Sequence, residues 1–213
     1  MLQSSKKWSN GAENTIFYFI IFYSNNTVMP IKGQISLNPT NGDRFEYLET
    51  AGDTKGERLV VKATIKSKGQ YAPHHIHVFQ DELFEVVSGK LTIWLDGETK
   101  VLTAGEKILL PKSIPHNHYN NEDIPVTYIH TVTPAYDFEY LIENLTGLAA
   151  DGKGKNGKYG LVQELVTLKY LDSKTYLANM PVGIQNILSD VIGPVGRMFG
   201  YRAIYRKYSG FDK

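Results

Sequence analysis

All six histidines of the chain lie between residues 74 and 130: His74, His75, His77, His116, His118 and His130. Even spacing would scatter them over 213 residues. Imidazole is the commonest side-chain metal ligand, so this cluster is where chemistry is sought first. His75 and His77 are two apart in an extended stretch, where the strand period puts both rings on one face, about 6–7 Å apart at Cβ. They can grip one ion. A reversal near Gln80 and Asp81 would bring Glu82 onto the next strand, where Glu82, Phe84 and Val86 share a face. His116 arrives on a later strand, entered past Pro111 and Pro115. Three neutral imidazoles and one carboxylate make a borderline donor set for one divalent transition metal ion. Fe, Mn, Ni, Zn, Cu and Co all fit, and a five- or six-coordinate ion keeps one or two positions open. Such an ion polarises carbonyls and acidifies bound water, chemistry that serves dioxygenases, isomerases and lyases. The ligands alone do not choose among these. Because ligating imidazoles must be neutral, metal affinity is expected to fall below about pH 6. His118 shares the strand parity of His116 and is expected to point into the same interior as an acid or base, with a supporting role as the alternative. His74 has the opposite parity to His75 and is expected outside. Parity does not fix the facing of His130.

These side chains need strands to hold them, and strand signals are frequent. Gly33–Leu37 and Arg44–Leu48 flank a turn of Asn38, Pro39, Thr40, Asn41 and Gly42 and read as a hairpin. Leu59–Ile65, Leu83–Val87, Leu91–Leu95, Thr99–Leu102, Lys107–Leu110 and Val126–Val132 are short, β-branched and aromatic, with turn residues between them. Asp96-Gly97 is a two-residue hairpin signal. With no helical segment separating these strands, a mainly β closed barrel or sandwich is expected. Beyond Pro134 the period becomes helical, with Phe138, Leu141, Ile142 and Leu145 on one side. Asp151–Gly160 is a basic connection that does not fit a phosphate loop. Helices are expected over Gly160–Leu171 and Val182–Tyr208, the second kinked or broken at Gly193-Pro194. The expected organisation is an N-terminal extension (1–28) that need not belong to the natural fold, a β-barrel (29–135) and a helical C-terminal extension (136–213).

Two stretches resemble conserved motifs of the cupin superfamily. Gly69, His75, His77, Glu82 and Gly89 match every fixed position of the first motif. Gly105, Pro111, His116 and Asn120 match the second, with Ser113 where a glycine is usual. The resemblance implies a double-stranded β-helix, the cupin jelly-roll barrel, followed by C-terminal α-helices. It also implies a metal held inside the barrel by His75, His77, Glu82 and His116. The flanking sequences look like those of bacterial single-domain, RmlC-like cupins with a helical tail, a group whose name supplies no substrate.

Composition narrows the functions further. There is no cysteine, which removes disulfides, thiolate nucleophiles and Cys-based metal sites. Lys and Arg number 23 against 22 Asp and Glu, so no global field attracts nucleic acid, and no helix-turn-helix is evident. The apolar run Ile16–Tyr23 is eight residues long, against roughly 20 for a membrane-spanning helix. No cleavage site follows it, so a cytoplasmic protein without membrane contact is expected. That run and the apolar side of the last helix both need burial, which a homodimer would provide. The expectation is a metal-dependent enzyme acting on a small oxygen-rich metabolite, with a non-catalytic small-molecule binder or sensor as the alternative.

Overall fold

A computed structural model describes residues 30–66, 68, 72–154 and 159–213. The apolar run Ile16–Tyr23, the motif residue Gly69 and residues 155–158 of the basic connection lie outside the described residues. The strands are β1 (Ile35–Leu37), β2 (Arg44–Glu49), β3 (Leu59–Ile65), β4 (His75–His77), β5 (Asp81–Ser88), β6 (Lys90–Leu95), β7 (Glu98–Thr103), β8 (Lys107–Leu110), β9 (His116–Tyr119) and β10 (Val126–Thr133). The helices α1 (Phe138–Ala150) and α2 (Leu161–Tyr170) follow, then a strand β11 (Thr175–Leu177), then α3 (Val182–Met198) and α4 (Arg206–Ser209). Two antiparallel sheets form, in the orders β1-β2-β3-β10-β5-β8 and β11-β4-β9-β6-β7. The result is a cupin-like jelly roll carrying C-terminal helices.

Alternation along the strands decides what faces inward. Leu59, Val61 and Ala63 of β3 are buried, as are Glu82, Phe84 and Val86 of β5 and Val126, Tyr128, His130 and Val132 of β10. One apolar cluster joins Phe84, Val86, Leu91, Ile93, Leu110, Val126 and Tyr128. A second joins Tyr47, Leu59, Val61 and Val132 to Phe138 and Ile142 of α1. His130 falls between the two along β10, so the polar interior is a band enclosed by apolar packing on either side. Gly89 shows why the first motif ends in glycine. Its φ is +78°, and a Cβ there would lie 2.7 Å from the Pro125 carbonyl.

The tail differs from its sequence reading in two respects. The last long helix runs through Gly193-Pro194 without a break and stops at Met198 rather than continuing to Tyr208. Proline forgoes a single helical hydrogen bond, and the helix is held from behind by α2. A Cβ at Gly193 would lie 2.9 Å from Lys169 Cβ, and one at Gly196 would lie 2.6 Å from a methyl of Val166. The helix closes where Tyr201 N–H donates to the Gly196 carbonyl and Gly200 N–H to the Arg197 carbonyl, the paired bonds of a Schellman end. The second difference is β11, which has no counterpart in the expected elements. It adds an edge to β4, with Thr175 opposite His77 and Leu177 opposite His75.

Candidate metal centre

The site is assembled from both sheets. β4 supplies His75 and His77, β9 supplies His116, and β5 supplies Glu82 from the opposite sheet. His75 pairs in register with His116. One ligand atom from each of these four residues lies within 4.8 Å of the others, close to the spread required of donors about 2 Å from a single ion. His77, Glu82 and His116 are at most 2% exposed.

Each imidazole is oriented from behind. Nδ1 of His75 donates to the Pro73 carbonyl (2.9 Å) and Nδ1 of His116 to the Ile114 carbonyl (2.8 Å). A carbonyl only accepts, so both rings carry their proton on Nδ1, and Nε2 of the neutral ring holds a lone pair. Nδ1 of His77 lies 3.1 Å from the Thr175 hydroxyl. Nε2 of His116 and Oε2 of Glu82 are 2.8 Å apart, and both are buried with no hydrogen-bond partner among the described residues. Two lone-pair atoms facing each other in a dry interior repel unless a cation sits with them. The residues therefore fit a metal, and the cluster has the composition and spacing of a site for one divalent ion of unspecified identity.

Electrostatics agree with this geometry. Burial would raise the Glu82 carboxyl, but the imidazoles of His77 and His130, with contacts from His116 and His130, hold it well below the usual carboxylate range. Burial pushes His77 down to about 3 and lowers His75 as well. The site thus favours an ionised acid and neutral rings at His75 and His77, the forms that bind metal.

His118 and His130 complete the interior. The His118 ring lies 4.6 Å from that of Phe84, 5.6 Å from Tyr128 and 6.0 Å from His130. Its Nδ1 is buried without a hydrogen-bond partner among the described residues, and burial pushes its pKa down to about 3. It stands beside the four-residue cluster rather than within it. His130, whose facing the sequence left open, points inward. It stacks on Phe84 at 4.4 Å and donates from Nε2 to Oε1 of Glu82 at 2.8 Å. His74 leaves the cluster and stacks on Trp94 at 3.8 Å. Ser113, in the glycine position of the second motif, adopts φ +65°, and its N–H donates to the His77 carbonyl at 2.8 Å. The turn therefore keeps its left-handed shape despite the side chain.

Two contributors are not placed by the sequence reading: parity leaves the facing of His130 open, and Thr175 is not singled out. Register makes His130 visible, since it sits opposite Phe84, which shares the Glu82 face. Thr175 gave no signal, lying on a three-residue strand between helices. Asp137 fixes the approach to that strand. It accepts from the backbone N–H of Asp172 and Ser173, from the Ser173 hydroxyl and from Lys213 Nζ, at 2.7 to 3.0 Å.

Comparison with known proteins places this architecture. Residues 62–132 match the family described as Cupin domain. The chain is 29% identical over 85 residues to a protein named polyketide synthase CurC from Streptomyces cyaneus, covering 40% of this chain and 53% of that one. It is 33% identical over 63 residues to an uncharacterized protein of Aquifex aeolicus, covering 30% and 51% respectively. The chain thus spans about half the length of the curated relatives it matches. Among solved structures, an RmlC-like cupin from Shewanella frigidimarina aligns at TM-score 0.41 and 26% identity, over 50% of this chain and 87% of that one. KdgF from Halomonas sp. aligns at TM-score 0.42 and 18% identity, over 49% and 89%. No helix among the described residues is long and apolar enough to cross a membrane. With its two cupin motifs, its jelly roll and the matched segment 62–132, the chain carries a cupin domain and adds helices after the barrel.

Proposed function

We propose that His75, His77, Glu82 and His116 hold one divalent transition metal ion, and that the chain is a metal-dependent enzyme acting on a small oxygen-rich metabolite. The observation that carries this reading is the buried, unbonded contact between Nε2 of His116 and Oε2 of Glu82. When bound, the ion supplies Lewis-acid polarisation of substrate oxygens, and in a redox-active form the chemistry of a dioxygenase.

The remaining roles belong to the protein. His130 fixes the Glu82 carboxylate through Oε1. Pro73, Ile114 and Thr175 fix the three ring orientations. Phe84, Tyr128 and Phe138 exclude water beside the rings. His118 is proposed as the acid or base, because its Nδ1 is buried without a hydrogen-bond partner among the described residues and belongs to none of the four proposed metal ligands. The curated relative named for polyketide synthesis fits an oxygen-rich substrate class.

Elemental analysis of protein purified without added metal, with mass spectrometry of any co-purified small molecule, tests the first half. A stoichiometric transition metal is expected, and its absence under every expression condition would remove the reading. The second half is tested by incubating metal-loaded protein with enediols, β-diketones and hydroxy acids while following oxygen uptake and product mass. Turnover that is lost in His118→Ala is expected. A tightly retained metabolite returned unchanged would favour the binder or sensor instead.

A further inference from the structure

α3 is amphipathic in the wrong sense. Its inward face carries Gln185, Ser189, Gly193 and Gly196, all buried. Gln185 is consumed by β11, accepting from Leu177 N–H and donating to the carbonyls of Leu177 and Met180. The two glycines allow close approach to α2. The outward face carries Ile184 (49% exposed), Ile187 (66%), Val191 (64%), Val195 (48%) and Met198 (84%), with Phe199 (79%) just beyond the end. These side chains form one stripe along the helix and have no partner among the described residues.

The spacing of the stripe is 3, 4, 4 and 3 residues, which reads the same in both directions from Val191. Run a second α3 antiparallel to the first, with a two-fold axis at Val191, and every level of the stripe meets another apolar residue. Ile184 comes level with Met198, Ile187 with Val195, and Val191 with its own copy. A stripe of this kind is complementary to itself, as an isologous interface requires. The exposed area of the six side chains is roughly 800 Å², about what each partner gives up in an interface of standard size. Charge does not favour a lipid surface, because α3 carries one acid and one base, Asp190 and Arg197, and no basic polar face.

We infer that α3 is a docking surface for a second copy of this chain, paired antiparallel about Val191. The absence of cysteine allows a direct test with the full chain. Sedimentation of the wild type is expected to show a dimer. Val191→Glu is expected to weaken dimerisation about thirtyfold or more, the scale of a central interface residue, with circular dichroism and bound metal unchanged. With diamide as oxidant, Val191→Cys is expected to cross-link to itself. Ile184→Cys alone is not, since the two sulfurs would lie roughly 21 Å apart along the helices, but it is expected to cross-link when mixed with Met198→Cys. A monomeric wild type, a dimer that survives Val191→Glu, or equal cross-linking of Ile184→Cys and Val191→Cys would each overturn the inference. So would a monomer that floats with phosphatidylcholine–phosphatidylglycerol vesicles, or one that dimerises only after residues 1–28 are removed, since the face would then belong to lipid or to the N-terminal run.

Discussion

The barrel interior and the outer face of α3 both reverse the usual sorting of side chains. The barrel buries the cluster's acid and two of its imidazoles, with Glu82, His77 and His116 at 1%, 2% and 0% exposure. The helix turns isoleucine, valine and methionine outward. Each reversal is costly in isolation, since buried polar groups want partners and exposed apolar stripes want cover. What makes each tolerable is the structure behind it. Pro73, Ile114, Thr175 and His130 lock the interior side chains from outside the cluster, and Gln185, Gly193 and Gly196 lock α3 against β11 and α2. A residue facing the wrong way yet held firmly marks the place where something else binds. The two regions differ in what each is suited to bind, a divalent cation in one and, as inferred for α3, a matching apolar surface in the other.

The largest effect should come from breaking the interior. His77→Ala removes a proposed ligand and empties the volume of a buried ring, and large-to-small changes of this kind cost about 2–5 kcal/mol. Metal stoichiometry near zero and a much lower melting temperature are expected. A chelator should reproduce part of the temperature loss in the wild type, because ligand at a hundredfold excess over its Kd stabilises by about 2.7 kcal/mol, and should do nothing to the variant. Metal content in His77→Ala equal to that of the wild type would separate the ion from this cluster.

The matching attack on the helix is made from behind. Gly196→Ala would place a methyl 2.6 Å from Val166 and 2.8 Å from Val162, and overpacking of this kind costs about 1–3 kcal/mol. Denaturant melts should show that loss while bound metal stays constant. Metal lost in parallel would mean that the two regions are not independent. Thr175→Val examines the link between them, because Thr175 belongs to the tail but backs His77. Removal of such an outer partner weakens metal binding about 10- to 100-fold, which competition with a chromogenic chelator would measure. Unchanged affinity would reduce β11 to a structural edge.

Why some of this was legible in the sequence and some was not follows from the range of the interactions. The barrel strands were readable because each is local, with period two and turn residues at its ends. The four-residue cluster was readable because His-x-His on one strand and Glu82 after one reversal obey the same parity. His118 was placed in the interior by that parity too. His130 needed the register of β10 against β5, which pairs it with Phe84, 46 residues earlier in the chain. Thr175 needed tertiary docking, since three residues carry no period. The break expected at Gly193-Pro194 was misread because that dipeptide looks like a terminator to a local rule, whereas packing of Gly193 and Gly196 on α2 holds the helix through it. The apolar stripe of α3 was visible, but its outward direction was not, because only the structure shows that the small residues had already claimed the inner face.

The smallest effect separates two buried acids. Glu82 is held low by imidazoles, whereas Glu139, at the start of α1, accepts the Ala51 N–H at 2.7 Å but has no ion-pair partner among the described residues. Burial, with Asp53, Glu143 and Asp137 nearby, pushes its pKa up to about 7 from an ordinary 4.5. The folded chain therefore keeps a proton that the unfolded chain releases. By linkage, the stability that Glu139 contributes is complete below about pH 4.5 and declines as pH rises to about 7. Glu139→Gln keeps the acceptor for Ala51 and stays neutral throughout. Its melting temperature should match the wild type near pH 4.5 and exceed it by a few degrees, about 2–4 °C, at pH 8. Thermal melts across that range decide the point, and parallel curves would mean that an acid can be buried here without a partner and without cost, which would weaken the reading of Glu82 as an acid that requires one.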